Sequence, residues 1–448
     1  MATKIEKVKY LIIGNSAGGI GAVEAIRGVD KTGAIAIVSD EPYPVYSRPL
    51  ISPYLAKERP MDNILYRPAD FYKKNNVQAI LGVKVEKLDL DKHTVELTDK
   101  DNKRVEWQKL LLATGGVPIF PKTEGSELKG VFTFTTLDDA KAIDRFLGKS
   151  SKKKVKAVVI GGGLIGVSVT EALVKRKVEV TVVEMRERIL NVILDEAASA
   201  LGAEALKKAG VKIITGHTVT KISGDAAGNV AGSTLDNGKE LPCEMVIVAI
   251  GVQPRMELAK EAGIKVNRGI LVDRHMATSN GDVYACGDVA EAYDFVLGVN
   301  RLTPIWPNAY VGGRVAGLNM AGVLTEYSGG TSMNSSHYFG VSVVSAGIVT
   351  PPDASYEELS KRSDHSYKKV LVKDGLVVGM VFSGDVEKSG IVYNLMKDKV
   401  NVDAFKQALV ADDFGLLSLP EEMWRSHLEL PPKPEAVVVQ RSGGHQGD

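Results

Sequence analysis

Two glycine-rich turns hold the residues whose types and spacing point to chemistry. The first lies in YLIIGNSAGGIGAVEAIR, residues 10–27. An apolar run from Tyr10 to Ile13 suits a strand buried on both faces of a parallel sheet. Gly14, Asn15, Ser16, Ala17, Gly18 and Gly19 follow, and then small and apolar residues at helical spacing. Gly14 permits a tight turn, the small Ser16 and Ala17 let the backbone approach a pyrophosphate, and Gly19 lets the helix pack on the strand. N–H groups at the helix start, with the helix dipole, favour phosphates there. Ser16 stands where the strict pattern has glycine, so this turn alone is a weak signal. The second turn, VKAVVIGGGLIG (155–166), carries all three fingerprint glycines, Gly161, Gly163 and Gly166. A helix is expected over 167–175, and a strand, EVTVVE, ends at Glu184. That acid lies 23 residues after Gly161, near the expected interval of about 20. Glu184 is expected to accept hydrogen bonds from both ribose hydroxyls of a dinucleotide. Its charge repels a 2′-phosphate, which favours NAD over NADP, a preference tempered by the nearby Arg186 and Arg188.

The surrounding elements must hold these turns in place. AIAIV (34–38) reads as the strand after the first helix and ends at Ser39, Asp40 and Glu41. The ribose-binding acid of a dinucleotide fold falls about at Ser39, so Asp40 or Glu41 takes that role, unless the turn is simply a solvated acidic one. The segment PYPVYSRPLISPYL (42–55) has four prolines, which are expected to forbid regular helix or internal strand. With its tyrosines and Arg48 it suits a wall for a flavin ring and its phosphates. A helix is expected to start at 68–74, and 79–98 alternates as hairpin strands do, with His93 in a solvated turn. KLLLATGG (109–116) is a strand running into a glycine turn, and MVIVAIG (245–251) is another buried strand. Asp288 ends a short strand and suits either a ribityl hydroxyl of FAD or an ordinary N-cap. Cys286 suits a small buried apolar position better than a nucleophile. A small-residue helix is expected over 305–322.

From residue 331 the composition changes. Strands are expected at 339–349, 367–371 and 376–382, with helical segments at 386–396 and 402–409, giving an α+β domain. Tyr338 or Phe339 is expected either in the core or near the flavin. The stretch 431–448 is polar and reads as a mobile or docking tail.

Bulk properties narrow the function classes. A chain of 448 residues suggests about two to four domains. A net charge of +1 excludes a broad basic field for nucleic acid or acidic membranes. The two cysteines, Cys243 and Cys286, are far apart, and no CxxC occurs. This excludes a local redox disulfide and a cysteine-ligated iron–sulfur cluster within the chain, and fits a reducing cytoplasm. No apolar run reaches the length of about 18 residues needed to span a membrane, and no signal-peptide core precedes the first strand.

GNSAGG, YSRPLIS, LLATGG, GGGLIG, IGVQP, ACGDVAE and WPNA occur here in the order found in the pyridine nucleotide–disulfide oxidoreductase superfamily, which the chain resembles up to about residue 430. The resemblance is to its branch of rubredoxin and ferredoxin reductases and NADH oxidases. It implies an α/β fold with two Rossmann-like dinucleotide-binding domains, for FAD and NAD, and a C-terminal α+β dimerisation-type domain. The implied FAD domain is discontinuous, 1–118 and 247–330, with the NAD domain at 119–246 inserted and the C-terminal domain at 331–430. The resemblance further implies that Gly14, Ser16, Ala17, Gly18 and Gly19 hold the FAD pyrophosphate. Asp40 or Glu41 holds its ribose, with Arg48 alongside. Val85 meets adenine through its backbone, Ala113, Thr114 and Gly115 line the cofactor, and Asp288 holds the ribityl chain. Trp306, in WPNA, joins the cofactor-binding set. Gly161, Gly163, Ile165, Gly166 and Glu184 hold NAD, with Gly251 near its nicotinamide half.

The departures narrow the activity. Where many members carry one or two active-site cysteines after the second strand, 42–55 has none, which argues against dithiol exchange and a cysteine-sulfenate peroxidase. Pro53, Ser168 and Thr135 stand where relatives carry a lysine, a glutamate and an arginine near the flavin, so no catalytic side chain is assigned. The expected activity is hydride transfer between NADH and flavin N5, with electrons passed to a rubredoxin- or ferredoxin-type protein or an iron–sulfur partner subunit. The alternatives are an NADH oxidase or peroxidase using dioxygen, and a non-catalytic flavin-binding subunit. A homodimer or a subunit of a larger complex is expected.

Overall fold

In the computed structural model, residues 5–98, 103–149 and 154–421 are described. The expected tail at 431–448 lies outside them. The apolar strand Ile5–Ile13 is the centre of the first sheet, with Tyr10, Leu11 and Ile12 excluded from solvent. It runs parallel to Ile35–Ser39 on one side and Arg104–Leu112 on the other. Val77–Leu81 extends the sheet beyond Ile35–Ser39. The other side of Arg104–Leu112 is shared between two partners. Its first half pairs antiparallel with Thr94–Leu97, and its second half pairs parallel with Val283–Ala285, brought in from far along the chain. The sheet is thus completed only after the chain has built a second domain and come back.

That second domain has its own parallel sheet, in the order Lys212–Thr215, Glu179–Glu184, Lys156–Ile160, Met245–Val248, Val131–Thr133. An antiparallel trio, Val219–Gly224, Val230–Leu235 and Glu240–Pro242, completes it. The chain crosses between the two domains at a short antiparallel pair, Gly116–Pro118 with Val252–Pro254. The expected break after residue 246 therefore cuts a strand, because Met245–Val248 pairs in the second sheet and the return comes at the paired crossover.

The C-terminal domain is a five-stranded antiparallel sheet ordered Met333–Tyr338, Val341–Gly347, Leu376–Ser383, Tyr367–Lys373, Glu357–Arg362. The strand expected at 339–349 is Val341–Gly347, and a further strand, Met333–Tyr338, precedes it. Phe339 adopts φ 48° in the turn between them. One face of the sheet packs on the helix Ser389–Lys397 through a core containing Phe382, Val392 and Met396. Tyr338, Val343, Tyr367 and Val381 instead pack with Ile189, Leu190 and Ala198 of the second domain.

The proline-rich segment departs from expectation. Arg48–Leu50 forms a 3₁₀ turn and Ile51–Leu55 one turn of α-helix. Pro49 and Pro53 sit in the first turns of these elements, where a missing N–H costs nothing. His93 is also not simply solvated: its ring stacks on Trp107 with centroids 4.5 Å apart.

Candidate functional site

The two glycine turns have matching geometry. Gly14 has φ 123° and Gly161 φ 105°, values that L side chains rarely adopt. A Cβ on either would also strike backbone, Ala113 O at 2.0 Å or Ala249 O at 2.4 Å. Each turn leads into a helix, Ala17–Val29 with Ser16 before it and Leu164–Lys175 with Gly163 before it. No protein atom lies within 4 Å of a Cβ built on Gly163. Packing does not demand glycine there, which is consistent with Ser16 at the matching position, where its side chain makes no capping bond.

Both turns open onto one cleft of about 1600 Å³. The wall on the side of the first turn includes Gly14 to Gly18, Val85, Ala113 to Gly115 and Asp288. Gly19 does not line it. A Cβ there would lie 2.0 Å from Gly14 O, so Gly19 serves the turn's packing. The wall on the side of the second turn includes Gly161, Gly163, Ile165 and Glu184, while Gly166 mirrors Gly19, its Cβ falling 1.9 Å from Gly161 O. Gly251 lines the cleft next to the crossover, where Ile119 N donates to its carbonyl. Trp306 lines it at the N-terminus of the helix Trp306–Met320 and meets Tyr66 edge-on, centroids 5.0 Å apart. Gly313 and Gly317 of that helix press on the backbone of the first fingerprint helix, with Cβ positions 2.0 Å from Gly18 O and 2.6 Å from Ala22 O. The helix Trp306–Met320 is thereby fixed against the start of the helix that follows the first turn.

The two acids after Ile35–Ser39 are not equivalent. Asp40 pairs with Arg255 Nη1 at 2.7 Å, at the edge of the cleft. Glu41 is drawn inward. One carboxylate oxygen accepts from Arg48 Nη2, and the other accepts from the Tyr46 hydroxyl at 2.5 Å. Arg48 Nη1 donates to Thr135 O at 3.0 Å, and Tyr46 Oη accepts from Leu137 N, so this network ties the FAD side to the NAD domain. Burial pushes the Tyr46 hydroxyl well above its ordinary pKa. Sequence reasoning found Glu41 and Arg48 but missed Tyr46, whose hydroxyl also accepts from Leu137 N, far along the chain. Asn15 is a second residue it missed. Its side chain bonds Tyr43 O and the Tyr72 hydroxyl, anchoring the first turn to the proline-rich segment.

Asp288 lies in the short 3₁₀ turn Gly287–Val289 and does not cap it, so the N-cap alternative falls. Burial pushes its carboxyl up, and the Arg48 charge pulls it back down. Glu184 is buried at the end of its strand. It accepts from Gly162 N at 2.7 Å and Arg186 N at 2.9 Å, one bond per oxygen. About half of its acceptor sites remain free of these two donors. Neither thiol is placed as a nucleophile. Cys286 borders the cleft but is fully buried, its Sγ against Gly18, and burial pushes its thiol up to about 12. Cys243 is buried in a separate apolar cluster, its thiol pushed up to about 11.

From the C-terminal domain, residues 333–336 line the cleft. Tyr338 and Phe339 do not, and of the two alternatives the core one holds for Tyr338. Tyr338 is buried against Gly202, and Phe339 N donates to Glu171 Oε1 at 3.2 Å.

Two dinucleotide turns opening onto one cleft, joined through paired crossover strands, define an FAD- and NAD-binding oxidoreductase. Comparison with known proteins places it further. The family model described as pyridine nucleotide-disulphide oxidoreductase matches residues 8–313, and that of the rubredoxin NAD+ reductase C-terminal domain matches 333–400. The chain belongs to the pyridine nucleotide-disulphide oxidoreductase family. It is 32% identical to the NADH-dependent phenylglyoxylate dehydrogenase subunit epsilon of Aromatoleum evansii, over 95% of this chain and 100% of that one. It is 29% identical to the NADH-rubredoxin oxidoreductase of Clostridium acetobutylicum, over 85% of this chain and 92% of that one. A solved NAD-dependent persulfide reductase from A. fulgidus superposes with a TM-score of 0.83 at 28% identity, covering 91% of this chain and 80% of that one.

Proposed function

We propose that this chain carries electrons between NADH and a redox-protein partner, with FAD as its only internal redox centre. The observation carrying this reading is that both dinucleotide turns share one cleft while neither thiol is exposed: Cys243 lies in a separate cluster, and Cys286, though it borders the cleft, is fully buried against Gly18. Bound FAD supplies the chemistry, accepting hydride at N5 and releasing electrons singly. The chain's own residues bind and orient. Gly14 to Gly18 present backbone N–H groups to the FAD pyrophosphate, and Asp288 offers an acceptor to the ribityl chain. Glu184 takes the NAD ribose, and its charge favours NADH. The N-terminus of the helix at Trp306 directs positive potential into the cleft, where it stabilises negative charge on a bound ring. The Glu41–Arg48 pair holds the two dinucleotide domains in register.

A small iron–sulfur protein or an iron–sulfur partner subunit is the acceptor we favour. The Aromatoleum relative, named as a subunit and matched along its whole length, supports a heteromeric assembly. Both faces of the C-terminal sheet have intramolecular partners, so we favour that assembly over a homodimer built on those faces. Two free buried cysteines support a cytoplasmic setting. Among the described residues no helix is long and apolar enough to cross a membrane. The test is steady-state NADH consumption by the FAD-loaded chain with three acceptors supplied separately: a ferredoxin or rubredoxin, dioxygen, and a small disulfide. The iron protein is expected to support turnover far faster than the others. Turnover with dioxygen alone at the same rate would install the oxidase reading, and turnover with the disulfide would overturn the argument from buried thiols.

A further inference from the structure

The second fingerprint turn is followed by a segment, residues 185–195, whose placement depends on the C-terminal domain. Met185, Arg186 and residues 190–193 line the NAD side of the cleft. At its near end the segment is tied to the turn itself. Leu190 N donates to Gly162 O at 2.8 Å, and Leu190 takes φ 53° to do so. At its far end stands Asp195, which caps the helix Glu196–Lys208 by accepting from Ala198 N at 3.1 Å with Oδ1. Its other oxygen is held by two residues of the C-terminal sheet. Tyr367 Oη donates at 2.7 Å, and Lys369 Nζ lies 2.5 Å away.

All three groups are sequestered. The Lys369 side chain is 3% exposed and that of Asp195 10%. A buried lysine without its carboxylate is costly, so this pair is held together in the folded chain. The same sheet presses on the segment elsewhere. Tyr338 sits over Gly202 of the capped helix, and Leu190 packs in the cluster that contains Tyr338 and Tyr367. Nothing in the dinucleotide chemistry calls for a lysine here, and neither Lys369 nor Asp195 lines the cleft.

We propose that Lys369 and Tyr367 are positioning residues for the NAD site: by fixing Asp195 they set the segment that closes over the dinucleotide. The proposal rests on the reading of Gly161 to Glu184 as the NAD site. It makes the C-terminal domain a structural part of NADH recognition. Removing the tether frees the far end of the segment while leaving the glycine turn and the FAD wall in place. The ligand then has to order the segment when it binds, so affinity falls without loss of the reaction geometry once it is bound.

The test uses the full-length FAD-loaded protein. Lys369→Met and Tyr367→Phe are compared with the conservative Lys369→Arg and with Glu184→Gln. The readouts are NADH dissociation constant, KM and kcat separately, FAD content and melting temperature. Lys369→Met is expected to weaken NADH binding by about three- to thirty-fold, with FAD content and kcat at saturating NADH unchanged. Lys369→Arg is expected to restore most of the affinity. If Lys369→Met fails to fold, Asp195→Asn, which keeps the cap to Ala198 N, carries the test with the same expected loss. Unchanged NADH affinity in folded Lys369→Met or Asp195→Asn, beside a clear loss in Glu184→Gln, would overturn the positioning role and leave the NAD site standing. Unchanged affinity in Glu184→Gln as well would remove the NAD-site reading beneath it. A fall in kcat and FAD content together, without a KM change, would mean a merely structural contact and also overturn the proposal.

Discussion

Replacing Glu184 by glutamine tests the recognition of the second dinucleotide with a single atom. The native carboxylate presents one oxygen to Gly162 N at 2.7 Å and the other to Arg186 N at 2.9 Å. An amide keeps one acceptor oxygen and turns a donor toward the other N–H. One of these two backbone groups then loses its partner. Where that group is buried the cost is about 1–3 kcal/mol of fold stability. The larger effect falls on the ligand. Hydrogen bonds to a charged acceptor contribute about 1.5–3 kcal/mol, which is about ten- to hundred-fold in affinity. KM for NADH is therefore expected to rise by that factor. FAD content stays at the wild-type level, because the first turn and its wall lie in the other domain. The NADPH to NADH ratio of kcat/KM rises, since the charge that repels a 2′-phosphate is gone. Steady-state kinetics with both nicotinamides, beside the flavin absorbance ratio of the purified protein, measure all three. A variant whose KM for NADH stays within about two-fold of wild type would refute the assignment of Glu184 to the ribose.

Three further outcomes are expected. Gly14→Ala forces a Cβ to within 2.0 Å of Ala113 O at φ 123°, so the variant purifies without FAD or fails to fold, as flavin absorbance per mole of chain reports. Thiol alkylation at neutral pH leaves NADH turnover unchanged, because burial holds Cys286 up to about 12 and Cys243 up to about 11; inactivation that tracks modification of either would contradict this. Asp30 is held below its ordinary pKa by Lys9 first and then by the Gly33 and Thr32 N–H groups. Its contribution to stability is present above the unfolded carboxylate pKa of about 4 and is lost as pH falls through the lower folded value. Asp30→Asn should thus lower the melting temperature at neutral pH and converge with wild type in acid. A constant offset at every pH would count against it.

Much of this arrangement was legible in the sequence because backbone requirements write themselves into residue type. Gly14 and Gly161 stand at φ values that other residues rarely adopt, and Gly19 and Gly166 stand where a Cβ would strike the turn carbonyl. These leave spacing that periodicity and motif can find. Glu184 was legible for the same reason, since strand length fixes where the acid falls. The contributions that escaped come from contacts across the chain. Tyr46 joins the Glu41–Arg48 pair to the second domain by accepting from Leu137 N, 91 positions away. Residues 333–336, not the aromatic pair after them, meet the cleft, because φ 48° at Phe339 turns the chain away after Tyr338 is buried. Lys369 carries no local signal at all. Its partner Asp195 lies 174 positions earlier, and a lysine in an apolar strand reads as solvated until the fold is known.

The central claim is that NADH reduces the bound flavin across the shared cleft and that a protein acceptor takes the electrons onward without a thiol relay. Anaerobic double-mixing stopped flow tests it most directly. The FAD-loaded protein is mixed first with NADH and then with a ferredoxin or rubredoxin, while the flavin band is followed. The account predicts rapid bleaching in the first mix and rapid recovery in the second, with alkylated and untreated protein giving the same rates. A flavin band that NADH does not bleach would contradict the account at its root, since Gly161 to Glu184 would then not be a working NAD site.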